Sequence, residues 1–278
     1  MRKIVCSIST IFSILLIAGL LAGCGNAAPV FDVPDIETIK SREPLPETVV
    51  DEDRITFTVN PEYTLQTIHT TAGGNFINKF SGSYDPIEPV SRYNLNNLDV
   101  GVARVRMTLE EFEVTNDNND PKKIDWDAFS NDGYNEATFI LLQEMQSYDL
   151  EIVATFWDVP DWMVLNPQND ADRMVNFALY DELAECVTAW LVMARDEYGI
   201  EIEYLSVNEP NIGAQVGFMG RELTTLIEAS EPLFKKNDIQ TRWLLADTSN
   251  ASGSAGYSTA MLRNGDILDL TGPFAFHS

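Results

Sequence analysis

The chain has 278 residues and a formal net charge of −25, with 18 Lys and Arg against 43 Asp and Glu. That balance argues against nucleic acid and anionic lipid as partners, because both are held by basic patches. The only histidines are His69 and His277, and the only cysteines are Cys6, Cys24 and Cys186. No metal is expected from so sparse a set of ligands, and no internal disulfide.

Arg2 and Lys3 open the chain with positive charge, Ile11 to Leu21 is a short apolar run, and Leu21-Ala22-Gly23-Cys24 follows. The run is too short for a stable membrane span and reads as an export signal over residues 1–23. Its end resembles the bacterial lipoprotein signal, in which the cysteine carries the lipid. Cys24 is therefore the expected lipidation site and membrane anchor, placing the protein at a bacterial cell surface or in the periplasm. Residues 24–53 are rich in Pro, Glu and Asp with little periodicity and read as a disordered spacer.

From residue 54 onward the pattern alternates strand and helix. Ile55–Val59 and Tyr63–Ile68 read as short strands around the Asn60-Pro61-Glu62 turn, with Leu65–Thr70 as the first strand of a barrel. Val102–Met107 is the next strand. A long polar loop from Glu110 to about Lys123 follows and is placed to rim a cleft. Its Asn116–Asp120 tip lacks the ordered spacing of a calcium loop and reads as a solvated turn. A helix is expected over Tyr134–Tyr148 and a strand over Glu151–Trp157. The longest helix is expected over Ala171–Tyr198, with Leu179, Leu183, Val187, Leu191 and Ala194 at helical spacing, Asp170 capping its start and Gly199 its end. Cys186 falls on its apolar side and reads as a buried free thiol. A strand over Ile202–Val207, a helix over Arg221–Lys236 interrupted by Pro232, a strand over Arg242–Ala246, a helix over Tyr257–Asn264 and a last apolar run over Gly272–Phe276 complete the pattern.

This alternation makes an α/β protein with a parallel sheet and helices outside. A doubly wound sheet would place a Gly-rich phosphate turn after its first strand, and Gly73-Gly74 is too weak a match, so no cofactor is expected. A (β/α)8 TIM barrel fits better, because polar residues cluster just after several strands. About six of the eight strands are accounted for up to Ser278.

The most informative stretch is Ser206-Val207-Asn208-Glu209-Pro210-Asn211. Asn208 and Glu209 stand where a buried strand ends, the edge of a barrel where catalytic groups gather. A carboxylate there can protonate a glycosidic oxygen while the amide beside it holds a sugar hydroxyl. A surface Glu capping the next helix has the same local sequence.

Other segments strengthen the first alternative. Thr58-Val59-Asn60-Pro61, Gln66-Thr67-Ile68 and Gly73-Gly74-Asn75-Phe76 together resemble the opening of glycoside hydrolase family 30, and Val105-Arg106-Met107 resembles its second-strand arginine segment. Thr155-Phe156-Trp157-Asp158-Val159-Pro160-Asp161-Trp162-Met163 is similar to its Trp-Ser-Pro-Pro-x-Trp-Met segment. Ser206–Asn211 resembles its acid/base motif, and Phe276-His277-Ser278 its histidine segment. The resemblance covers about residues 55–278 and implies a retaining glycosidase of the (β/α)8 clan. It also implies that an N-terminal strand belongs to a β-sandwich side domain.

By that resemblance Glu209 is the general acid/base and Asn208 holds the 2-hydroxyl. Arg106 would steady the nucleophilic carboxylate or form a buried ion pair. Trp157 and Trp162 would stack on sugar rings or pack as core aromatics, as would Phe218. His277 would contact substrate or the nucleophile, or stand as an ordinary exposed residue at a strand end. The expected substrate is a β-linked polysaccharide or oligosaccharide, with xylan, glucan and galactan backbones all open.

The chain departs from the pattern at His69-Thr70-Thr71-Ala72 and at Trp157-Asp158-Val159-Pro160. The family's nucleophile, a Glu ending the seventh strand, has no counterpart before Ser278. The expectation is a front portion of a longer enzyme, inactive by itself. The alternative from another class is a lipid-anchored glycan-binding protein without catalysis. A transport-associated binding lipoprotein fits less well, since only one α/β lobe is legible.

Overall fold

A computed structural model of the chain describes residues 72–76, 89–98, 100–168, 173–213, 215–263 and 265–277. The expected signal, the spacer, Cys24, His69, the two strands before residue 70 and the side-domain strand lie outside the described residues. Among the described residues no helix is long and apolar enough to cross a membrane.

Six strands run parallel in strict chain order: β1 (Ala72–Asn75), β2 (Val100–Arg106), β3 (Glu151–Phe156), β4 (Tyr204–Val207), β5 (Arg242–Thr248) and β6 (Thr271–Phe276). The order never reverses, so the sheet has no switch point of the doubly wound kind. It also curls. In a flat sheet β2 and β6 would lie about 19 Å apart, four strand spacings. Yet Arg104 on β2 meets His277 just past β6 at 3.4 Å. These are six strands of a (β/α)8 barrel. The described strand beside β2 is β1, with its Gly73-Gly74 pair within the sheet; the expected Leu65–Thr70 lies outside the described residues. Gly74 leaves room for the Phe76 ring, 2.2 Å from where a β-carbon would sit.

Among the described residues six α-helices stand between the strands: α1 (Pro89–Asn97), α2 (Leu109–Phe112), α3 (Tyr134–Met145), α4 (Tyr180–Tyr198), α5 (Gly220–Lys236) and α6 (Ala251–Met261). Gly199 ends α4 in the left-handed conformation, φ 67°, as its position in the sequence implies. The start of α4 differs from expectation. It begins at Tyr180 rather than Ala171, because Val175 bridges to Val164 and Met174 to Gly217. That pairing takes up the backbone preceding the helix, and Asn176 caps a single 3-10 turn, Phe177–Leu179. The expected cap Asp170 lies outside the described residues. The last helix starts at Ala251, not Tyr257, because the Asn250 side chain accepts from the Gly253 N–H and caps it.

Alternation along the strands divides the sheet into two faces. Val105, Ala154, Phe156, Leu205 and Val207 point outward into one buried cluster with Phe139, Leu142, Leu183, Val187, Trp190 and Phe234 of the helices. Arg104, Thr155 and Ser206 occupy the opposite parity and join across the inner face. Arg104 Nε donates to Thr155 Oγ1 at 3.0 Å, and the Thr155 and Ser206 hydroxyls lie 2.7 Å apart. The fold thus supplies an apolar outer layer and a polar inner one.

Candidate active site

The register that aligns Thr155 with Ser206 sets Trp157 and Asn208 one step further along the same inner face, at the C-terminal edge of the sheet. Asn208 is buried, and its Oδ1 accepts from Arg104 Nη2 at 2.9 Å. The same Nη2 donates to Asp247 Oδ2 at 2.9 Å. One guanidinium therefore gathers groups from β3, β4 and β5. Burial lowers the pKa of Arg104, and the charges of Asp247 and then Glu209 oppose that shift. A guanidinium stays charged through such a change.

Glu209 follows β4 with its backbone in the left-handed region, φ 45°. It is partly exposed, its N–H donates to the Asp247 carbonyl oxygen at 3.0 Å, and its Oε1 lies 3.1 Å from His277 Nδ1. His277 Nε2 lies 3.3 Å from Asp247 Oδ1. The imidazole thus stands between two carboxylates, and the backbone N–H of His277 donates to Thr248 O at 2.7 Å, which holds the residue in place. Asp247 and Ala246 also hold left-handed backbone, φ 47° and 78°, where β5 and β6 pair irregularly. Strained backbone of this kind costs on the order of 1–3 kcal/mol per residue and collects where function fixes geometry.

The remaining expected site residues divide. Arg106, at the end of β2, is buried and paired with Glu110 at the start of α2. Trp157 is engaged by both arginines, whose guanidinium carbons lie 5.1 Å (Arg104) and 5.3 Å (Arg106) from its ring centroid. Trp162 is half-buried against the core, and its Nε1 donates to Glu113 O at 3.0 Å. Phe218 is a core residue, packed against Phe156 and Tyr180. The structure brings Asn208, Glu209 and His277 together, and Trp157 joins them through Arg104. Trp162 is tied to the loop after α2.

Sequence reasoning missed Arg104 and Asp247. Arg104 has the same parity as Arg106, so the pattern marks both as inward-facing without saying which reaches across. Asp247 directly follows the apolar run Trp243–Ala246, the same signal that singled out Glu209. Beyond the motif, a cleft of about 260 Å³ is lined by Pro210, Asn211, Phe218, Met219, Arg173 and Tyr257, among others.

No protein-family model matches the sequence, and no curated protein matches it. Solved structures do match. The catalytic domain of GH30 xylanase C from Talaromyces cellulolyticus superposes with a TM-score of 0.61 at 17% identity, covering 79% of this chain and 55% of that one. The fold is that of glycoside hydrolase family 30 structures. The endo-beta1,6-glucanase BT3312 gives 0.56 at 17% identity over 75% of this chain and 52% of its own. A GH30 endoxylanase from Clostridium papyrosolvens C71 gives 0.55 at 14% identity, over 74% and 48%. The chain spans about half the length of these three. The family 30-like fold places the Asn208-Glu209 edge, Trp157 and His277 at one end of one barrel segment.

Proposed function

We propose that this chain belongs to a retaining glycoside hydrolase that cleaves a β-linked glycan, with Glu209 as general acid/base. The observation that carries the reading is the junction after β4. There Asn208 is fixed by Arg104, and Glu209 is held between the left-handed backbone of its own residue and the His277 ring. The barrel fold shared with xylanases and a β-1,6-glucanase supports it.

In this mechanism Glu209 delivers a proton to the departing glycosidic oxygen and later withdraws one from the water that releases the sugar. Asn208, with its Oδ1 occupied by Arg104, keeps its Nδ2 to donate to the 2-hydroxyl, a contact that strengthens as charge develops on the ring. His277 orients the Glu209 carboxylate through Oε1 and leaves Oε2 for the substrate. The attacking carboxylate is proposed to come from the seventh strand, about 5–5.5 Å from Glu209, as retaining chemistry requires. Asp247 does not fill that role, since Arg104 and His277 occupy its oxygens. The protein is further proposed to be anchored outside the cell through lipid on Cys24.

The test compares the full-length protein with Glu209→Gln on β-linked xylan and glucans and on aryl β-glycosides. Loss of about 10²–10⁴-fold is expected on unactivated glycans, with a much smaller loss where the leaving group needs no proton, and rescue by azide. Equal loss on both substrate classes without rescue would refute the acid/base role. Retained glycan affinity with no turnover in the wild type would favour a binding protein.

A further inference from the structure

On the far side of the β2 loop a second group of acidic residues lies away from Glu209. Glu113 follows α2, Asp117 sits on the loop beyond it, and Glu182 and Glu185 project from the first turns of α4 one turn apart. Asp117, Glu182 and Glu185 bring one carboxylate oxygen each to within 4.8 Å of one another. Glu185 is 1% exposed and neither of its oxygens meets a hydrogen-bond donor, while Glu182 is 8% exposed with Oε2 likewise unpartnered. The fourth acid, Glu113, is 1% exposed beside them. The leading charges that act on Glu182 and Glu185 are those of carboxylates: Asp117, Asp120, Asp181, Glu113 and each other.

Buried carboxylates without donors or cations are costly, and only a proton or a cation relieves them. Glu182 and Glu185 lie close enough to share a proton, which relieves one charge of the group. Asp117 points to the cation. Its Oδ2 accepts from the Asp125 N–H at 2.7 Å and from Asn118 Nδ2 at 2.8 Å. Those donors leave the buried Oδ1 free of partners. Three oxygens no more than 4.8 Å apart in pairs all lie within about 2.8 Å of a common point, so a closing movement of a few tenths of an ångström brings them to calcium–oxygen distances of about 2.3–2.6 Å. An all-oxygen donor set selects calcium over softer metals.

We propose that Asp117, Glu182 and Glu185 form a structural calcium site that fastens the β2 loop to the start of α4. Trp162 is tied to the same loop through Glu113 O, so the ion would also hold that side of the barrel rim. The site is independent of the glycosidase reading.

The test titrates calcium into the chelator-treated full-length protein by calorimetry and follows its thermal unfolding. Expected are a Kd at or below about 1 mM and a higher unfolding midpoint with calcium. Glu185→Gln and Asp117→Asn should each weaken binding at least about tenfold, the smallest loss that even outer-shell changes produce. If Glu185→Gln does not fold, Asp117→Asn on the half-exposed loop decides alone. Two results overturn the site. One is a folded wild type with no heat and no midpoint shift, which leaves the shared proton. The other is a calcium response unchanged in the variants, which assigns binding to surface carboxylates.

Discussion

The Glu209 N–H donates to the Asp247 carbonyl oxygen across 3.0 Å, and both residues hold left-handed backbone. The ends of β4 and β5 are therefore locked together where their carboxylates stand. His277 and Arg104 complete the lock from β6 and β2. With Thr155 of β3 also bound to Arg104, five strands meet in one network, and the position of Glu209 depends on it.

Asp247→Ala should lower the unfolding free energy by about 2–3 kcal/mol, since it leaves a largely buried guanidinium without its carboxylate. It also sets alanine in a left-handed conformation. Asp247→Asn should lose less, because asparagine tolerates that backbone and still accepts from Arg104. Urea unfolding of the two variants measures the difference.

Arg104→Lys should reduce kcat/KM on glycans at least about tenfold, a loss of 1.4 kcal/mol in transition-state binding. An ammonium cannot reproduce the fork that reaches Thr155, Asn208 and Asp247 together. Arg106→Lys should cost less activity, because Arg106 is paired with Glu110 outside this network. The reverse ranking would move the site toward Arg106.

Without a bound cation, burial raises the Glu113 carboxyl from its ordinary 4.5 to about 8, with the Asp117 and Glu182 charges adding to the rise. Burial and then Asp117, Glu182 and Glu113 raise Glu185 to about 8 as well. The folded chain therefore binds more protons than the unfolded chain between these values. Their contribution to stability is fully present below 4.5 and is lost as pH rises through about 8. In a chelator, the unfolding midpoint should show this downward contribution, and Glu113→Gln should reduce it.

Cys24→Ala should move the protein from the membrane fraction to the soluble fraction of its host, because acyl chains on Cys24 would supply the proposed anchor. Fractionation with palmitate labelling checks this. Unchanged membrane association without label would place the anchor elsewhere.

Much of the barrel is legible in the sequence because its strands are buried on the outer face. Runs such as Glu151–Trp157 and Ile202–Val207 carry that apolar imprint, and the residue after each run marks the functional edge. The start of α4 is not legible, since Met174 and Val175 continue a helical apolar pattern while their backbones pair with Gly217 and Val164. The role of Arg104 depends on curvature that brings β6 back to β2, which no local pattern records. Asp247 follows an apolar run and so sits legibly at the edge, but its ties to Arg104 and His277 rest on that same curvature. The acidic group at Glu113, Glu182 and Glu185 reads in sequence as the ordinary polar side of amphipathic segments. Only the fold shows that it is buried.

The most direct measurement is the anomeric configuration of the first sugar released by the full-length protein from a β-linked glycan, followed by proton NMR before mutarotation. The β-anomer is expected first, the mark of two successive displacements with Glu209 serving first as acid and then as base. Initial release of the α-anomer would contradict it.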